Sequence, residues 1–99
     1  MLRIHIHHGT EATSFIVEGK LAGPWVKELE RCWDAAISSE PQRPIMVKLV
    51  AVTFIDAKGR ELLARMCQQG SRLVPTGCLM KAIVEEIEAE ANKNPLHNI

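Results

Sequence analysis

The chain has 99 residues, with 12 Lys and Arg against 12 Asp and Glu, and it carries no net charge when its histidines are neutral. That length suits one domain over residues 1–99 and buries roughly 60 to 70% of the unfolded surface, enough for one hydrophobic core. Neutrality excludes a global basic field that would draw in nucleic acid or an anionic membrane.

The first predicted element is "LRIHIH", where Leu2, Ile4 and Ile6 alternate with Arg3, His5 and His7. This is the period-two pattern of a half-buried strand. The start of the chain therefore alternates instead of forming an apolar signal core, and Lys48 interrupts the longest apolar run well short of a bilayer span, so a cytoplasmic protein without membrane insertion is expected. After the polar segment "HGTEAT", "SFIVEG" reads as a second strand, the antiparallel partner of the first. Gly23 and Pro24 announce a helix, with Trp25, Val26, Leu29, Cys32, Trp33, Ala36 and Ile37 on its inner stripe. "SSEPQRP" ends it with two prolines. "IMVKLVAV" is too apolar for a one-sided strand and is expected to be central and covered on both faces.

Asp56 is placed to cap the next helix, whose inner stripe is Gly59, Leu62, Leu63, Met66 and Cys67, with Glu61 and Arg65 paired outside and Gly70 as the stop. "SRLV" is a short strand, and "CLMKAIVEEIEAEA" a last helix burying Leu79, Ile83, Val84 and Ile87 beneath an acidic outer face. The tail from about residue 92 to 99, "NKNPLHNI", is expected to fray. The order strand, strand, helix, strand, helix, strand, helix predicts an α/β fold: right-handed crossovers onto a mixed, mostly parallel four-stranded sheet with three or more helices packed against it.

Two stretches, "GKLAGPWVKELERCW" and "IMVKLVAVTFIDAKGRELLARM", resemble the STAS domain of sulphate transporters and anti-sigma factor antagonists, and the resemblance covers nearly the whole chain. Gly19, Lys20 and Leu21 match the family's "G-x-L" before the first helix. Val52, Phe54, Ile55, Asp56 and Gly59 fall in register with its hallmark "DLSxVxFIDSSG". The resemblance implies the same mixed sheet and a regulatory role in bacterial transcription. In the antagonists the second serine of "DSSG" is phosphorylated by an anti-sigma kinase. Here Lys58 stands at that position and Ala57 at the first serine, so neither can accept phosphate, and Lys48 replaces the aspartate that opens the motif. Thr53 is the nearest hydroxyl, with Ser71, Ser38 and Ser39 further off.

A lysine in the first turn of a helix meets the partial positive charge of free amides, at a cost of roughly 0.3 to 1 kcal/mol when exposed. Lys58 either points into water at that cost or joins the amides in accepting an anion. His5, His7 and His8 offer a metal alternate strand positions but read as surface, and no metal or cofactor is expected. Cys32, Cys67 and Cys78 are odd in number, lack CxxC spacing and sit in apolar helical contexts, so neither a disulfide nor a nucleophile is expected. Trp25 and Trp33 are expected to anchor the first helix. With no phosphate-binding loop, nucleophile elbow or paired-carboxylate site, an enzyme is not expected.

The leading reading is a protein-interaction module of the anti-sigma factor antagonist type that docks through Asp56, Ala57, Lys58, Gly59 and Arg60, joined by Lys48 if it projects toward the same end of the sheet. The partner is a protein, such as an anti-sigma factor or kinase, or a transporter subunit. The alternative implied by the same family is an accessory domain for ligand sensing or lipid transport that binds a nucleotide, phosphate or lipid.

Overall fold

The computed structural model describes residues 1–93. It contains β1 (Leu2–His8), β2 (Thr13–Leu21), α1 (Pro24–Ser39), β3 (Ile45–Ile55), α2 (Ala57–Gln68), β4 (Arg72–Pro75) and α3 (Cys78–Lys93). The sheet order is β1-β2-β3-β4, with β1 antiparallel to β2 and the two remaining pairings parallel. The predicted element order and mixed, mostly parallel sheet hold. Of the tail expected to fray from about residue 92, residues 94–99 lie outside the described residues, while Asn92 and Lys93 are helical and complete α3.

The expectation that β3 is covered on both faces fails. Ile45, Val47 and Leu49 are buried, but the alternating Met46 and Lys48 are only half-buried and Val50 is exposed. Topology explains the difference. The β2-α1-β3 and β3-α2-β4 crossovers both step the same way across the sheet, and two right-handed crossovers in one direction lay their helices on the same side. The molecule is therefore two layers, one of helices and one of sheet, and the core lies between them.

That core is built from Phe15, Val17 and Leu21 of β2, Val47 and Leu49 of β3, Leu29 of α1, Leu63 and Met66 of α2 and Ile87 of α3, all inaccessible or nearly so. Each large apolar side chain placed there contributes about 1.5 to 3 kcal/mol relative to leaving it in water. The helix phases differ from expectation in three places. Trp25 is exposed while Trp33 is buried, because eight residues advance a helix by about 80° beyond two full turns. In α3, Leu79 is exposed and the inner stripe is Met80, Val84, Ile87 and Ala91, with Ile83 at its margin. Arg65 turns from Glu61 to Glu30 of α1, and its guanidinium lies 5.5 Å over the Trp33 ring. Trp33 Nε1 donates to Ser71 Oγ at 2.9 Å, so the buried indole keeps its hydrogen bond while Arg65 covers its face.

The "G-x-L" segment ends β2. Gly19 has φ +103° beside a shift in strand register, and a Cβ there would stand 2.3 Å from the Met1 carbonyl oxygen, which accepts from Lys20 N at 3.0 Å. Glycine at this position lets the start of the chain close onto the strand.

Candidate functional site

At the carboxyl end of β3 the chain turns directly into α2, and Asp56 governs the turn. Its Oδ1 accepts from Gly59 N at 2.7 Å, capping α2, while Oδ2 accepts from Gly23 N at 2.9 Å, at the entrance to α1. Asp56 N in turn donates to the Leu21 carbonyl at 3.1 Å. One residue thus fixes the starts of two helices through its side chain and the end of β2 through its backbone N–H. The backbone N–H groups of Gly23 and then Gly59, with the charge of Lys58 nearby, hold the Asp56 carboxyl below the usual carboxylate range.

The sign of the pH effect follows. A carboxyl whose folded pKa is depressed adds stability above its unfolded value, near about 3.9, and loses it as pH falls through the folded value. In denaturant titrations from neutral to acid pH, wild type is expected to exceed Asp56→Asn in stability at neutral pH, and the two should converge below about pH 4. A gap that stayed constant across this range would remove the charge of Asp56 from the account.

The five proposed contact residues divide by role. Ala57 and Lys58 are exposed on the first turn of α2. Gly59 is buried against the Leu21 carbonyl, and the carboxylate of Asp56 is occupied by amides of its own chain. Arg60 Nη2 pairs with Glu86 Oε1 of α3 at 3.1 Å. Lys58 makes no ion pair among the described residues.

Lys48 does not join this group. It lies seven residues before the end of β3, about 23 Å away along an extended strand, on the face opposite the helices. Thr53 is exposed three residues before Asp56, with its hydroxyl 3.4 Å from the Gly19 carbonyl oxygen. Ser71 is engaged by Trp33, and Ser38 and Ser39 are exposed at the far end of α1.

A groove of about 340 Å³ runs from Lys58 between α1 and α2, and its charged wall is Lys27, Glu30, Lys58, Glu61 and Arg65. Two exposed aromatics, Trp25 and Phe54, flank the same end of the molecule. Sequence reasoning missed the groove and the Gly23 contact. Gly23 and Pro24 signalled a helix start, but nothing in the sequence linked that start to a carboxylate 33 residues later.

Burial pushes the thiols of Cys32 and Cys67 up, with Glu28 and Glu88 respectively adding to the effect, so neither is an activated nucleophile. Among the described residues, no group of three or more His, Cys, Asp or Glu side chains is arranged to hold a metal ion. No helix there is long and apolar enough to cross a membrane.

No protein-family model and no curated protein matches this sequence. Among solved structures the chain is similar to an anti-sigma factor antagonist from Mycobacterium paratuberculosis, with a TM-score of 0.75 and 16% sequence identity over 100% of this chain and 87% of that one. The fold is that of an anti-sigma factor antagonist. At this identity the likeness is one of backbone architecture.

Proposed function

We infer that the protein is a regulatory interaction module that docks a protein partner through the start of α2, with Lys58 taking the place of a phosphorylatable hydroxyl. The observation that carries this reading is the pairing of a rigid frame with a free cation. Asp56 and Gly59 lock the turn from inside, while Ala57 and Lys58 face solvent at its tip. Exposed residues on an over-determined backbone lose little entropy when a partner arrives, so contact energy is retained as affinity. The fold of an anti-sigma factor antagonist supports a regulatory role, with an anti-sigma factor or its kinase as the class of partner.

Without hydroxyls at residues 57 and 58, phosphorylation there does not operate as a switch, and Thr53 is the exposed hydroxyl nearest the turn. The neighbouring groove is open and bounded by charges of both signs, which suits a protein surface better than a lipid chain.

The test is binding to the isolated partner at low and moderate salt by wild type, Lys58→Ala and Lys58→Glu. Charge reversal is expected to weaken binding by about 2 kcal/mol or more, roughly 30-fold, and alanine by less. Equal affinities for the three proteins at both salt concentrations would move the interface away from α2.

A further inference from the structure

The face of the sheet that no helix covers has a charge pattern of its own. Facing residues across the strands share a side of the sheet, and two cross-strand rows lie opposite the core. One is His7, Ser14, Met46 and Arg72; the other is His5, Ile16, Lys48 and Val74. Arg3 sits beside Glu18 in the next row. Lys20 faces Phe54, and the next residue of β2, the buried Leu21, points the other way.

All four Lys and Arg residues of the strands, Arg3, Lys20, Lys48 and Arg72, thus lie on this one open face, against the single acidic residue Glu18. None of the four makes an ion pair among the described residues, whereas all three ion pairs there, Arg31 with Glu28, Arg60 with Glu86 and Arg65 with Glu30, belong to the helical layer. Between these charges lie half-buried aliphatic side chains, Ile16 and Met46 on the two inner strands and Val74 on the edge strand, with Lys48 standing between Ile16 and Val74. Net neutrality therefore conceals a basic sheet surface with aliphatic side chains between its cations.

We propose that this open sheet face is a second docking surface, separate from the start of α2, for an acidic segment of a partner protein that carries an apolar stripe. Aliphatic side chains interleaved with cations offer contact area and charge to one partner, and cations that make no ion pair among the described residues steer an acidic partner without first breaking internal bonds. Single-stranded nucleic acid is disfavoured because the rings on this face are scattered, Phe54 at one corner and the His5 and His7 imidazoles on the edge strand β1, and so give no continuous platform for successive bases.

The probe is a 20-residue helical peptide with leucines along one stripe and glutamates elsewhere, followed by fluorescence anisotropy at low and moderate salt. Wild type is expected to bind it, salt to weaken the complex, and Lys48→Glu with Arg72→Glu to weaken it roughly tenfold or more. Lys58→Glu should leave it unchanged, which separates this surface from the α2 site. Arg3→Glu with Lys20→Glu serves as a second variant on exposed positions, and thermal melts confirm that each variant is folded.

Unchanged peptide affinity in both folded double variants would overturn the proposal. So would tighter binding of an oligothymidylate of equal charge with the same sensitivity to the variants, which would make the face a nucleic-acid surface. Salt-sensitive self-association of the protein alone, abolished by Lys48→Glu with Arg72→Glu, would assign the face to a second copy instead.

Discussion

Gly59→Val is expected to destabilise the protein by about 3 kcal/mol or more. A Cβ at residue 59 would stand 2.7 Å from the Leu21 carbonyl oxygen and 2.9 Å from Ile55 Cγ2. The carbonyl belongs to backbone that also accepts from Asp56 N, so it cannot turn aside without loosening the turn that carries Lys58. Gly59→Ala meets the same oxygen but recovers about 1 kcal/mol of helix propensity, so its net loss should be smaller. Equilibrium urea unfolding reads both: the midpoint should fall while the slope is retained. A valine variant as stable as wild type would mean that α2 can ride away from β2 at little cost.

The glycine illustrates what the sequence disclosed and what it withheld. Alternation in "LRIHIH", the prolines around "SSEPQRP" and the aspartate before a 3.6-residue stripe were enough for the elements, their order and the cap on α2. These are local signals, and each acts within a few residues. The one-sided sheet was hidden because Ile16, Met46 and Val74 are apolar yet only half-buried on the open face, and an apolar run reads the same whether one face or two are covered. Only the direction in which consecutive crossovers advance resolves it. Leu79 and Met80 exchanged roles in α3 because adjacent apolar residues make the phase of a stripe ambiguous, and packing into the core chose Met80.

The candidate site was legible by position but not by division of labour. Asp56 through Arg60 are adjacent in sequence, and sequence could not show that Asp56 and Gly59 face inward while Lys58 faces out. Arg65 shows the same limit: Glu61 is its neighbour on the helix, but packing brings Glu30 of α1 to it with Trp33 beneath.

Leu63→Ala is expected to cost about 2 to 5 kcal/mol, because the truncated side chain leaves a cavity between α2 and the sheet where the surroundings relax only in part. Leu63 has no accessible surface, and the Leu49 and Met66 side chains in the same core are equally sealed. Lys58→Ser, five residues earlier and exposed, should change stability by less than about 1 kcal/mol. Measured side by side, the pair tests whether fold and contact surface are separable on one helix. If Lys58→Ser were as damaging as Leu63→Ala, the outward placement of Lys58 would be wrong.

The placement of the two tryptophans has a practical result. The chain has no tyrosine, so its near-ultraviolet emission comes from Trp25 and Trp33 alone. Trp33 is sealed between α1 and α2 beneath Arg65, while Trp25 stands half open two residues from the Gly23 amide that Asp56 holds. One indole therefore reports the integrity of the helical layer and the other the environment at the tip of the molecule. A Trp33→Phe protein would leave a single native fluorophore beside α2, able to follow occupancy of that end without an attached dye.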